Sequence, residues 1–350
     1  MALQGSGQIS ASNIANEFGY TNGSETRLGS YRTTNGQGNF PVSFGALQFN
    51  SIDAASGGSV PTSGQIKFSD FYSTKLQTVV NFYGSGRGGN RLIAKDRYNA
   101  GGSNDVNVVG NYRTRPNNTS GTKVHIHVNQ TIGSEKSNVQ HCALRTGSWN
   151  SSTSLQIDIG GSGRIAGGGG DGGNGSVNSG GGFAGGAGTS GLGVQYSPTQ
   201  VNIASGGVLV AGFGGGGGGG GAFDHDKNSS RTASGGGGGG GAGIPAGAGG
   251  AEGSGGVEGG PGNAGSATAA GSGGGGGNND GEAVAGGGGT GGSVGEAADN
   301  GGTGFGGEGS SSGGGAGGPD GAAIRRNSGF TVNVSNSGTL SGSTNATGVL

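Results

Sequence analysis

The residues with the most chemical potential fall in two places. VHIH puts His125 and His127 two apart, which on a strand means one face. Imidazoles in that arrangement suit iron or zinc if several chains bring copies together. A single such pair on one strand is more simply a polar sheet face, so His125 and His127 are metal candidates only, and no metal or cofactor is expected. The second place is AFDHDKNSSRTAS (222–234), which gathers Phe223, Asp224, His225, Asp226, Lys227 and Arg231 between the two longest glycine blocks. Consecutive side chains such as Asp224, His225 and Asp226 rarely converge on one ion. The mixture of an aromatic ring, acids and cations suits recognition of a polar surface, with Phe and Arg as anchors. A solvated turn between two glycine segments is the bland alternative.

Catalysis finds little support. No phosphate loop of the form G-x-x-x-x-G-K-[ST] occurs, and no G-x-S-x-G sits in a strand-to-helix setting with a histidine partner. Hydrolysis of a polysaccharide would need two carboxylates at a fixed separation, and the acids here lie scattered among glycines. The expectation is a protein that is not an enzyme.

Composition explains why conventional machinery is missing. Of 350 residues 98 are glycine, 28% are hydrophobic and 11% charged, and with glycine left out the apolar share is well below the roughly 40% of a globular domain. A single large hydrophobic core is excluded. A net charge of −1 gives no electrostatic case for nucleic acid or an anionic membrane. One cysteine, Cys142, excludes an internal disulfide framework and suggests synthesis in a reducing compartment. The opening MALQGSGQISASNIANEFG has no basic and apolar leader, and no apolar run reaches the length of a membrane span. No membrane insertion is expected.

The elements that must position these residues divide the chain in four. Residues 1–78 contain an echo: GSGQISASNIANEF (5–18) and TSGQIKFSDFYSTKL (62–76) share SGQI followed by serine and apolar residues, and PVSFGALQFNSI (41–52) is a looser relative. Each reads as an extended lead-in, a Ser or Asp cap and one or two helical turns, burying its apolar residues against a partner chain. Residues 79–160 change to period two in VVNFYG, NRLIAKDRY, DVNVVGNY, TKVHIHVNQTI, HCALRT and SLQIDIG, the pattern of a small antiparallel β-sandwich. Residues 161–324 are glycine-rich, and 325–350 alternate again as a β-like tail that caps the glycine block or pairs with the β-domain.

Within the glycine-rich part, GAGGAEGSGGVEGGPGNAG keeps one frame unbroken: Gly247, Gly250, Gly253, Gly256, Gly259, Gly262 and Gly265. Collagen also needs glycine at every third residue, but only seven prolines occur in the whole chain. The alternative is a bundle of polyglycine II helices, left-handed, with three residues per turn and every N–H and C=O directed outward to neighbours that only glycine lets close. Phe183, Phe213, Phe223 and Phe305 are expected to stabilise such a bundle as apolar interruptions. The overall expectation is a mixed fold: a short helical N-terminal segment, a small antiparallel β-domain and a polyglycine II bundle. A disordered glycine linker is the competing reading.

Alternating glycine blocks and inserts resemble the tail-fibre-tip adhesins of T-even-type bacteriophages. The likeness covers about 160–321 and is architectural. SGQISASNIANEFG and SGQIKFSDFYSTKL resemble the N-terminal segments of marine phage virion structural proteins, and this second likeness covers about 78 residues. The middle β-rich stretch has no counterpart in either. The resemblance implies a polyglycine II sandwich whose inserts contact a bacterial surface receptor, protein or glycan. Here that would be the 222–234 insert, with GNNDGEAV (277–284), GEAADN (295–300) and EGSSS (308–312) as lesser turns. It implies other virion tail or fibre proteins as partners, with a homo-oligomer also open. The location implied is the virion, after synthesis in the host cytoplasm and release by lysis. Two other classes remain: a purely structural fibre or decoration subunit, and an ice-binding protein built on polyglycine II helices, a group that leans on disulfides.

Overall fold

The computed structural model describes residues 3–17, 28, 48–51, 61, 63–73, 77–83, 123–136, 138–147, 154–226 and 229–350. Its secondary structure is nearly all sheet. The helices among the described residues are α1 (Ala11–Glu17) and one 3₁₀ turn (Phe68–Phe71), so the expected helical N-terminal segment is minimal. They belong to the two SGQI echoes. Ser10 caps α1: its Oγ accepts the Asn13 N–H at 3.1 Å, and Asn13 Oδ1 accepts the Ser10 N–H at 3.0 Å. The 3₁₀ turn is started the same way, with Asp70 Oδ2 accepting the Lys67 N–H at 2.7 Å. The two echoes join within the chain, since the Ser73 N–H donates to the Gln4 carbonyl at 3.2 Å and the Tyr72 hydroxyl to the Gly7 carbonyl. Ile14 and Phe71 are fully buried without the partner chain the sequence suggested. In the third, looser relative, the described residues form a strand.

That strand, β1 (Gln48–Ser51), pairs antiparallel with β2 (Gln77–Tyr83). From β2 onward the chain winds. A first coil runs β3 (Lys123–Asn129), β4 (Thr131–Ile132) and β5 (Cys142–Arg145). A second coil runs β6 (Ser154–Ile159), β7 (Arg164–Ala166) and β8 (Ser190–Val194). A third begins with β9 (Thr199–Ile203) and β10 (Val208–Val210). The chain then departs for residues 211–321, which carry β11 (Ala222–Asp226), β12 (Ser229–Ala233), β13 (Asn278–Asn279), β14 (Ala283–Val284), β15 (Phe305–Gly306) and β16 (Ser310–Ser311). It returns as β17 (Ile324–Arg326) to close the third coil, and β18 (Val332–Asn336), β19 (Thr339–Ser341) and β20 (Ala346–Thr347) make a fourth.

Stacking the coils gives three sheets, β1-β2-β3-β6-β9-β18, β4-β7-β10-β19 and β5-β8-β17-β20. Every pairing from β2 onward in these sheets is parallel. The architecture is a three-sided parallel β-solenoid. The antiparallel pairing expected for 79–160 is therefore corrected for the described strands β2 to β6, while NRLIAKDRY and DVNVVGNY lie outside the described residues. Period-two alternation reports which face is buried, and it reads the same in either strand direction. Direction is set by the connection, and from β3 onward each strand meets its neighbour only after the chain has gone round all three sides.

Inward residues stack in register between coils and form the core. One column is Ile126, Ile157 and Val201; another is Ile132, Ile165, Leu209 and Leu340; a third is Leu144, Leu192 and Ile324. Each coil buries too little alone, so the columns supply the stability, as in other repeat architectures. Leu340 on the outermost coil is only half-buried, which fits its place at the end of the stack.

The glycine-rich segments leave the solenoid at one corner, between the second and third sheets. The second coil extends there through 167–189 and the third through 211–321. Together they make ten extended passes: 167–176, 181–189, 211–221, 234–243, 247–254, 258–266, 270–277, 285–292, 298–304 and 312–321. Their hydrogen bonds run between passes with a period of three. Gly215 and Gly218 donate to Gly186 and Phe183, Gly216 and Gly219 to Gly239 and Gly236, and Gly217 and Gly220 to Asp299 and Gly302, at 2.8–3.0 Å. One pass thus donates in rotation to three neighbours. Glycine is needed because a Cβ at Gly219 would lie 1.9 Å from the Gly286 carbonyl oxygen. At bundle edges a side-chain oxygen replaces the missing neighbour: Asp171 and Asn174 accept the N–H groups of Ala248 and Ala251 at 2.6 and 2.9 Å, and Asn300 that of Gly317 at 2.9 Å.

Candidate functional site at the far end of the glycine passes

The passes turn at two ends. At the near end, turns meet the solenoid and its loops: the Ser134 N–H donates to the Ile244 carbonyl at 2.9 Å, and Arg164 Nη2 to the Ala267 carbonyl at 2.7 Å. Residues 295–300, one of the lesser inserts, begin in a turn at this end. At the far end five loops converge, formed by 177–180, 222–233, 254–257, 278–284 and 305–311.

Short strands tie these loops together. β11 pairs antiparallel with both β12 and β16, and β14 with both β13 and β15. The two small sheets meet over a core of Ala222, Ala233, Ala283 and Ala285, where only small side chains fit. Val257 bridges to Ala233, and the Asn178 N–H donates to the Ser254 carbonyl at 2.8 Å. The Gly307 N–H donates to the Glu282 carbonyl at 3.0 Å.

The residues singled out from sequence, Lys227 excepted, each have a place. Phe223 and His225 share the outward face of β11, their rings stacked with centroids 6.0 Å apart and 12° between planes. His225 Nδ1 is 3.1 Å from the Ser230 hydroxyl. Asp224 points to the opposite face, as strand alternation requires, and is only 4% exposed. Its Oδ1 accepts the Glu308 N–H at 2.8 Å. Arg231 on β12 faces the 278–284 loop, with Nε 3.9 Å from Asp280 Oδ2 and Nη1 paired with Glu282. Asp226 ends β11, and Lys227 lies outside the described residues.

The glycine frame spans two passes and the turn between them. A Cβ at Gly247, Gly250, Gly253, Gly259, Gly262 or Gly265 would come within 2.7 Å of a backbone oxygen on a neighbouring pass, that of Ser176 for Gly253 and that of Gly275 for Gly259. Gly256 differs: with φ +78° it makes the turn itself.

On the first sheet of the solenoid, His127 lies beside Asp158 of the next coil, Nδ1 to Oδ2 3.7 Å. Asp158 Oδ1 also accepts from Gln156 Nε2 and Asn202 Nδ2, both at 2.7 Å. This is a polar ladder along the stack. His125 sits at the matching position opposite Gln156. Among the described residues no group of three or more His, Cys, Asp or Glu side chains is arranged to hold a metal ion.

Sequence reasoning treated four phenylalanines alike, as bundle stabilisers, and that is corrected for two. Phe213 is buried with Ala211 and Ala242. Phe305 is 62% exposed and Phe183 56% exposed. Val177 and Val257 are also exposed, so with Phe305 the far-end loops carry apolar side chains in water, while Phe183 lies on the pass that begins at 181. Val177 carries a local signal, standing between Ser176 and Asn178, and Val257 precedes Glu258, whereas Phe183 and Phe305 are flanked only by Gly and Ala.

A packed solenoid here holds a block of glycine passes, with interlocked loops at the end away from the solenoid. The family model of the phage tail fibre adhesin Gp38 matches residues 93–345, and the chain belongs to that family. It is thus a phage tail fibre adhesin, a component of the virion. Among solved structures the chain is similar to the gp37–gp38 adhesin tip complex of the bacteriophage S16 long tail fibre, at 20% identity over 81% of this chain and 89% of that one, with a TM-score of 0.31. No curated protein matches the chain. Among the described residues no helix is long and apolar enough to cross a membrane.

Proposed function

We propose that this chain is a receptor-binding tip in which the ten glycine passes are polyglycine II helices acting as a rigid arm. The loops at the arm's far end bind a bacterial surface receptor, protein or glycan, without chemical reaction. The observation that carries the reading is the convergence of five loops at the end remote from the solenoid, where exposed aromatic and apolar side chains collect. Support for the polyglycine II assignment comes from the three-residue rotation of donors and from the close carbonyl approach at each glycine. Such a bundle has no hydrophobic core to soften and is locked by a grid of hydrogen bonds, so it can hold loops in fixed relation.

In this proposal residues 1–78 and the β-structure serve attachment to the virion. The solved gp38 of phage S16 was captured with gp37, which suggests another tail-fibre protein as partner here. Of the divisions 1–78, 79–160, 161–324 and 325–350, the first is then the attachment segment, the second the solenoid start and the last the returning coil, while 161–324 holds both the arm (167–189 and 211–321) and the solenoid strands β7 to β10. Phe223, Asp224, His225, Asp226, Lys227 and Arg231 form the hairpin nearest the receptor.

The test replaces 222–234 with Gly and Ser at equal length and compares binding of the purified chains to host cells, with circular dichroism and melting of both. Loss of binding with the spectrum and melting retained is the expected result. Retained binding would move the receptor site away from this hairpin. If neither chain bound, a structural fibre subunit would be the better reading.

A further inference from the structure

We propose that Phe305 is the residue that anchors the receptor, while Asp224 and Arg231 are positioning residues that hold its loop and never touch the receptor. The inference rests on the reading that the far end binds a receptor. It reassigns the roles within the hairpin and adds a residue outside it.

Three ties converge on the Phe305 loop. Phe305 pairs across strands with Val284, Gly307 donates to the Glu282 carbonyl at 3.0 Å, and Glu308 donates to Asp224 Oδ1 at 2.8 Å. Asp224 is buried and turned away from the outward face, so its carboxylate serves the Glu308 N–H. Arg231 fixes the 278–284 loop through Asp280 and Glu282, and that loop in turn carries Val284. The two charged residues therefore set where Phe305 stands. Phe305 itself is 62% exposed on β15, an edge strand paired with β14 and tied through the loop that follows it. A large ring presented on rigid backbone loses little freedom on binding, which is the character of an interface anchor.

The experiment measures binding of the full chain to host cells for five variants, with melting curves for each. Phe305→Ala is expected to weaken binding at least about tenfold with melting unchanged. Asp224→Ala weakens binding, whereas Asp224→Asn, which keeps the Oδ1 acceptor, restores it. Arg231→Glu weakens binding, and Arg231→Glu combined with Glu282→Arg recovers it by rebuilding the ion pair in reverse. A carboxylate or guanidinium that met the receptor directly would not be rescued in these ways. Binding by Phe305→Ala equal to wild type, failure of Asp224→Asn to rescue, or failure of the charge reversal would each overturn the proposal. If Phe305→Ala binds normally while the 222–234 replacement does not, this inference falls and the receptor-end reading stands. If the 222–234 replacement also binds normally, both fall.

Discussion

At the scale of single residues, most of the glycine in this chain answers a steric demand that differs from place to place. Gly219 has the Gly286 oxygen 1.9 Å from where a Cβ would sit, whereas Gly275 has nothing within 4 Å. The pair makes a clean test. Gly219→Ala must push two passes apart and is expected to destabilise by about 3 kcal/mol. Gly275→Ala restricts the unfolded chain without a clash and is expected to be neutral or stabilising by up to about 1 kcal/mol. Denaturant melts of the two variants measure both; equal destabilisation would mean that close packing is not what selects glycine. The frame from Gly247 to Gly265 was legible because the hydrogen bonds between passes repeat every three residues. Its meaning at each position was not. Gly249, outside the frame, is blocked just as firmly by the Gly262 oxygen at 2.0 Å. Which faces of a pass meet a neighbour depends on its place in the bundle, and no local pattern encodes that.

Elements show a different limit. The runs KVHIHVN and SLQIDI announced strands through alternation, and β6 buries every second residue as the pattern demands. Their direction stayed hidden because β6 finds β9 some forty residues later, and β10 lies in one coil with β17 more than a hundred residues away. Local sequence carries no record of a partner that distant. The caps at Ser10 and Asp70 were readable because they act within three residues. The solenoid's cooperation between coils can be tested at Ile157, which is fully buried with Ile126 on one side and Val201 on the other. Ile157→Ala leaves a cavity spanning the central coils and is expected to cost about 2–5 kcal/mol, read from the shift in the unfolding midpoint. A shift much smaller than that would indicate that the coils collapse around the loss and that the columns are not close-packed.

For the whole molecule, the separation between a folded base and a projecting arm follows from where the arm leaves. The third coil departs after β10 and returns at β17, and the two crossings lie side by side: the Gly321 N–H donates to the Gly212 carbonyl at 2.9 Å. The 108 residues between are an insertion in a coil, so the base does not need them to close its circuit. The core columns of the solenoid draw on β3 to β10 and β17 to β19, with no residue from 213–320. Replacing 213–320 by a few Gly and Ser residues is therefore expected to give a soluble chain that keeps a β-sheet circular-dichroism spectrum and a cooperative melt, but does not bind host cells. The loss of contacts at the near end, such as Ser134 with Ile244 and Phe213 with Ala242, should lower the midpoint without abolishing the transition. A chain that failed to fold would show the opposite dependence, with the glycine bundle acting as a template on which the coils assemble. The sequence division near residue 160 marked a change in composition; the structural division instead falls at the corner where two coils open outward.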